Sequence, residues 1–217
     1  MKKGSIELVF ILDKSGSMAG LESDTIGGYN SMLDKQKALD GECRITTVLF
    51  DHNYELLHDR IDIHEVSPIS DQEYFVGGMT ALVDAVGLTI SKIAKAQKNT
   101  AEEYRAEKVM FVIITDGYEN ASKEYSADKV KKMIEKQKKE FDWEFVFLGA
   151  NIDAVETAGS LGISADRAVD YLSDSKGTRL SYQAMSSAVA AYRQLGKIDE
   201  SSLEKIRTDK RKRGNRK

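Results

Sequence analysis

Four runs of nearly unbroken apolar residues set the terms for this chain: 6–12 (IELVFIL), 44–50 (RITTVLF), 108–115 (KVMFVIIT) and 143–149 (WEFVFLG). A strand with one wet face alternates apolar and polar residues, whereas a run apolar at nearly every position fits a strand covered on both faces, as in a parallel sheet. The intervening segments have helical spacing. Over 23–38, Ile26, Tyr29, Met32 and Leu33 share a face, with Ser23 or Asp24 as the cap. Over 80–97 the shared face is Leu82, Val83, Val86, Ile90, Ile93 and Ala94, and over 126–140 it is Val130, Met133 and Ile134, behind a Ser126 cap. Residues 53–63 alternate and predict an edge strand antiparallel to 44–50 through a tight turn at Asp51-His52-Asn53. A short helix after 149, a short strand over 168–172 and a long helix over 175–195 complete the pattern. Strands alternating with helices predict an α/β fold, doubly wound and Rossmann-like, with a mostly parallel sheet and helices on both faces.

At 217 residues the chain suits one domain, or one with a small appendage. Its single cysteine, Cys43, has no partner for an internal disulfide and lies in an apolar run, which suits a structural thiol. The N-terminal MKKGSIELVF is too short in apolar residues for a signal peptide, and no stretch approaches the ~20 apolar residues of a membrane span. The expected compartment is the cytoplasm, without a membrane span. The net charge of −3 hides an asymmetry. Residues 205–217 hold eight Lys or Arg and one Asp, a local +7; removing them from 32 basic and 35 acidic residues leaves 24 and 34, so 1–204 carries −10. Nucleic acid is therefore no natural partner for the body, while 205–217 offers a contact for a polyanion. Residues 1–198 are read as the domain and 199–217 as a basic, disordered tail.

Two strand ends carry the same signature. The first apolar run ends in Asp13, within DKSGS at 13–17, and the third ends in Thr115-Asp116-Gly117. In open α/β sheets ligands bind beyond the carboxyl ends of the strands, where the strand order reverses. If these strands are neighbours there, Asp13 and Asp116 converge across a crevice. Gly77-Gly78-Met79-Thr80 places Thr80 in the first turn of a helix behind two glycines. Two carboxylates (Asp13, Asp116) and three hydroxyls (Ser15, Ser17, Thr80), with no histidine or thiolate, suit a hard cation: Mg²⁺ most simply, or Mn²⁺ or Ca²⁺. Zinc would recruit nitrogen or sulfur. His52, His58 and His64, six apart around the hairpin, do not make a metal cluster, and Gly149-Ala150-Asn151 lacks the GxGxxG or Walker lysine of a phosphate loop.

DKSGS at 13–17 resembles the DxSGS motif of von Willebrand factor type A (VWA) domains, the seat of their metal-ion-dependent adhesion site. Thr80 in GGMT and Asp116 in ITDG stand in the order that family requires, and TTVLFDHNYELL at 46–57 is similar to its second strand and hairpin. The resemblance covers residues 5 to 196 and points to a stand-alone bacterial or phage-type member. It implies a six-stranded sheet with one antiparallel edge strand. It further implies that Ser15 and Ser17 bind the metal directly, that Thr80 does so directly or through water, and that Asp13 and Asp116 act through waters and hydrogen bonds. Neutral hydroxyls leave the ion electrophilic, so an Asp or Glu of a protein partner can complete its shell. The expected function is a metal-dependent protein-binding module, not an enzyme. Two alternatives differ in class. A haloacid-dehalogenase-type phosphotransferase also places an Asp after its first strand, but it requires DxDxT, and Ser15 stands where its second Asp belongs. A nucleic-acid-associated protein would act through 205–217. The resemblance also suggests that the last helix, 178–195, moves with the metal shell.

Overall fold

The computed structural model describes residues 1–198 and 200–214. Six strands form one sheet: β1 (Lys2–Asp13), β2 (Cys43–Phe50), β3 (Tyr54–Asp62), β4 (Ala106–Asp116), β5 (Glu144–Ala150) and β6 (Ala168–Asp170), in the order β3-β2-β1-β4-β5-β6. All neighbours are parallel except β2 and β3, the antiparallel hairpin expected from the alternation at 53–63. A bulge interrupts that hairpin near Arg60, whose φ is +54°.

The unbroken apolar runs have the predicted cause. Along β1, Leu8, Phe10 and Leu12 enter one core, while Val9 and Ile11 enter the other. The first core lies beneath α1 (Glu22–Lys37) and α5 (Ser175–Leu195); the second lies beneath α2 (Leu82–Asn99), α3 (Ala127–Phe141) and α4 (Ala154–Ser160). A strand with helices on both faces has no position at which a polar side chain meets water. Ser126 caps α3 as expected, accepting from the Lys129 N–H. α1 differs: it starts at Glu22 after Leu21, with no side-chain cap, and neither Ser23 nor Asp24 serves. α2 also starts later than expected, so Thr80 lies two residues ahead of its first turn rather than within it.

Where a disordered basic tail was expected over 199–217, Glu200–Gly214 forms a helix, α6. Asp199 and 215–217 lie outside the described residues. Leu203 and Ile206, one helical turn apart, are buried in the first core together with Ile198. Arg207 donates to the carbonyls of Asp166 (2.9 Å), Ala168 (3.3 Å) and Ala165 (3.4 Å), and Lys210 pairs with Asp170 at 3.1 Å. Charge density alone suggested disorder; a two-residue apolar stripe and matched acids on the body decide otherwise. Among the described residues no helix is long and apolar enough to cross a membrane.

Candidate metal centre at the strand ends

β1 and β4 are neighbours, and the chain winds away from them in opposite directions, through β2 and β3 on one side and β5 and β6 on the other. Their carboxyl ends therefore flank the crevice at which the sheet's order reverses. β1 delivers Asp13 there and β4 delivers Asp116. Beyond Asp13 the chain turns through one turn of 3₁₀ helix, Gly16–Met18, which presents Ser15 and Ser17.

Hydrogen bonds lock three loops around this point. The Lys14 N–H donates to the Phe50 carbonyl (2.7 Å), the Gly77 N–H to the Lys14 carbonyl (2.9 Å) and the Gly16 N–H to the Gly78 carbonyl (3.2 Å). The Asn120 N–H donates to the Thr80 carbonyl at 3.0 Å, while the Asn120 side chain accepts from the Thr80 N–H at 2.9 Å. Tyr74, buried, donates its hydroxyl to the Asp13 carbonyl at 2.5 Å.

The hydroxyls meet as predicted. Thr80 Oγ1 donates to Ser15 Oγ at 3.0 Å, Ser15 Oγ and Ser17 Oγ lie 3.0 Å apart, and Ser17 Oγ donates to the main-chain oxygen of Asp116. Ser15 and Thr80 are buried; Ser17 is exposed and opens the cluster to the surface. Gly117, at φ +133°, borders the far side. A Cβ there would stand 3.0 Å from Ser17 Oγ and 4.0 Å from Thr80 Oγ1, so glycine is required for both its backbone and its lack of bulk.

The two carboxylates are held differently. Asp13 Oδ1 accepts from the Ser15 N–H at 2.7 Å; Oδ2 accepts from Thr115 Oγ1 at 2.7 Å and the Asp116 N–H at 3.2 Å. Burial pushes its carboxyl above the usual aspartate range, and these hydrogen bonds pull the other way. Asp116 joins the hydroxyls through its carbonyl, while its carboxylate accepts from Asn151 Nδ2 (2.5 Å, on Oδ1) and Ser173 Oγ (on Oδ2). Its carboxyl is likewise raised by burial, against the Ser173 and Asn151 bonds. Asn151, Ser173, Thr115 and Tyr74 were not anticipated. The sequence offered only position: Asn151 stands two residues beyond the apolar run 143–149, and Ser173 just ahead of the long helix; the φ of +54° at Asn151, a conformation in which Asn is enriched, emerges only in the fold.

The donor set fits a hard dication. Among the described residues the hydrogen-bond donors to both carboxylates are neutral; Lys14, the nearest cation in sequence, is buried and paired with Glu55 at 2.5 Å. The hydroxyls lie within hydrogen-bonding distance of one another, Thr80 to Ser15 and Ser15 to Ser17 both at 3.0 Å, close enough to be shared by one small cation. No cluster of three or more His, Cys, Asp or Glu able to hold a metal occurs among the described residues, so a cation here would rest on hydroxyls. Cys43 is buried, and its thiol is pushed up to about 12, which suits a structural role.

No protein-family model matches the chain, and no curated protein matches it in sequence. Solved structures do resemble it. One is proximal thread matrix protein 1 from the mussel byssus with a zinc-occupied adhesion-site motif (TM-score 0.56, 16% identity, covering 84% of this chain and 45% of that one). A second is a D319A mutant of the PilB minor pilin from Streptococcus sanguinis (0.58, 10%, 88% and 62%). A third is a von Willebrand factor type A protein from Catenulispora acidiphila (0.57, 13%, 85% and 42%). The chain thus spans less than two thirds of each of these longer chains. Identities this low speak for the architecture: this is an α/β, Rossmann-like VWA fold, six-stranded and mostly parallel.

Proposed function

We propose that this chain is a metal-dependent protein-binding module in which Ser15, Ser17 and Thr80 hold a divalent cation beside Asp13 and Asp116, and a partner's Asp or Glu completes the shell. The observation that carries this reading is the cluster of three hydroxyls beside two buried carboxylates whose hydrogen-bond donors, among the described residues, are all neutral. When bound, the cation supplies Lewis acidity toward a carboxylate oxygen. The residues do the rest. Ser17 faces the entry, Ser15 and Thr80 line its floor, and Gly117 leaves the space open. Asn151 and Ser173 fix the Asp116 carboxylate, as outer partners fix the groups around a metal. The all-oxygen set favours Mg²⁺, with Mn²⁺ and Ca²⁺ as close alternatives. The zinc in the mussel protein's site supports a divalent ion at this position in the fold. We read binding rather than phosphoryl transfer here because Ser15 stands where a phosphotransferase of this type needs its second acid, and Asp13 is buried and held by three neutral donors.

The test is Mn²⁺ binding by electron paramagnetic resonance, with Mg²⁺ as competitor. One ion per chain is expected in the wild type, and none in the Ser15→Ala/Ser17→Ala double variant. A folded wild type that binds no Mn²⁺ at millimolar concentration sinks the reading.

A further inference from the structure

Single apolar side chains are common on a soluble surface, but grouped ones mark contact sites. Three of those most open here stand on the loops of the candidate metal centre: Phe75 (61% exposed), Met79 (55%) and Tyr118 (65%). Others among the described residues, such as Tyr104 before β4 and Leu195 at the end of α5, lie singly on other elements. Met79 adjoins Thr80, Tyr118 follows Gly117, and Phe75 belongs to the loop whose Gly77 N–H is bonded to Lys14. The Phe75 ring is supported from below: Lys14 Nζ lies 4.4 Å from its centroid and is itself anchored by Glu55. An open aromatic side chain held in this way is preorganised for contact.

Charge narrows the occupant further. Residues 1–204 carry a net −10, and the compensating cations are gathered on α6 beside β6, so away from that helix an acidic run meets net repulsion until it reaches the cation. Glu119, beside Tyr118, is already engaged by the N–H groups of Val83 (2.8 Å), Ala121 (2.9 Å) and Ser122 (2.7 Å). The loops around the opening therefore offer apolar surface and one place for a carboxylate. Resting on the metal reading above, we infer that Phe75, Met79 and Tyr118 form a docking rim, and that the partner is a protein segment bearing a single acidic residue flanked by large apolar side chains. The acid goes to the cation; its neighbours cover the rim. A polyacidic tract is the ligand this surface selects against.

Three blocked peptides, Gly-Asp-Gly, Phe-Asp-Leu and Glu-Asp-Glu, titrated into the ¹⁵N-labelled chain with Mg²⁺ present, test this through the amide shifts of Gly16, Gly78 and Gly117. Phe-Asp-Leu should bind about tenfold tighter than Gly-Asp-Gly, and Glu-Asp-Glu more weakly than either. In the Phe75→Ala/Met79→Ala/Tyr118→Ala variant the preference should vanish while Gly-Asp-Gly binding persists; all three positions are open, so the fold should tolerate the changes. Equal binding of the three peptides, binding by none of them to the Mg²⁺-loaded chain, or a preference that survives in the variant, overturns the rim. Phe-Asp-Leu binding unchanged by EDTA leaves the rim standing and removes the metal reading. Failure of the chain to bind Mn²⁺, together with no peptide binding, removes both.

Discussion

β1 carries two buried carboxylates, Glu7 near its start and Asp13 at its end, and the protein treats them in opposite ways. Both are excluded from water, and burial raises both carboxyl groups above their ordinary range. Glu7 is met by charge: Arg60 Nε donates to it at 2.7 Å, and the neutral amide of Gln97 adds a bond at 2.6 Å. Asp13 is met only by neutral donors, the Ser15 and Asp116 N–H groups and the Thr115 hydroxyl. A buried anion given its own guanidinium is a closed structural pair. One given only dipoles, beside a cluster of hydroxyls, has no internal counter-charge, which on the reading proposed above a cation from outside supplies. Burial and a shifted carboxyl do not separate a functional acid from a structural one; the identity of the partner does.

The sharpest way to break this comparison is to remove the cation at the closed pair. Arg60→Ala leaves Glu7 buried without its ion-pair partner, with only the more distant charge of Arg44 in reach, which costs about 3–5 kcal/mol. At about 2–4 °C per kcal/mol for a chain of this size, the melting temperature should fall by on the order of 10 °C. The fall should be equal with and without Mg²⁺. If Arg60→Ala melts like the wild type, or if Mg²⁺ rescues it, the two carboxylates are not the distinct cases described.

The open carboxylate makes the complementary prediction. Because the folded-state pKa values of Asp13 and Asp116 are raised, the metal-free folded chain binds protons more readily than the unfolded one. Their contribution to stability is therefore best at acid pH and is lost as pH rises from the ordinary aspartate value of 3.8 through the raised ones. A cation requires the ionised forms, so it stabilises where the metal-free protein is weakest. At a hundred times its dissociation constant, Mg²⁺ should add about 2.7 kcal/mol near neutral pH, or about 5–10 °C in melting temperature. The increment should shrink as pH is lowered, and Asp13→Asn should abolish it. A Mg²⁺ increment that is flat with pH, or that survives in Asp13→Asn, would show that the ion sits elsewhere.

The parts of this site that were legible in the sequence are those written locally. Asp13, Ser15 and Ser17 lie within five residues, and the apolar run ahead of them announces a central strand whose end must open at the edge of the sheet. Asp116 was legible for the same reason, and Thr80 from its two glycines, although its helix begins later than the pattern suggested. The hairpin β2–β3 was legible because alternation changes where one face of a strand becomes wet. The supports of the site were not. Asn151 and Ser173 reach Asp116 across 35 and 57 residues, and nothing near them in sequence names their partner. α6 was misread because thirteen residues with eight cations look like a solvated tail. Its fate is decided by Leu203, Ile206 and acids that lie far away in the chain.

α6 also supplies the smallest and most specific effect. Its Arg213 bonds Asp174 through two nitrogens, at 2.6 and 3.2 Å, and Asp174 caps α5 by accepting from the Gly177 N–H at 2.7 Å. The residue before that cap is Ser173, which holds the Asp116 carboxylate. Arg213 thus braces the loop from which one of the two supports of Asp116 is offered. The pair is partly exposed, so its removal in Arg213→Ala should cost only about 0.2–1 kcal/mol of stability. Its mark should instead appear in Mg²⁺ affinity. Ser173→Ala, which deletes the direct support, should weaken binding by about tenfold, the lower end for a lost partner of a metal-bound group. Arg213→Ala, one link further out, should weaken it by about two- to threefold, and Arg213→Lys should restore part of the loss. Titration calorimetry of the three variants orders them. If Arg213→Ala loses stability while its Mg²⁺ affinity stays that of the wild type, α6 only covers the edge of the core and the bracing of Asp116 ends at Ser173.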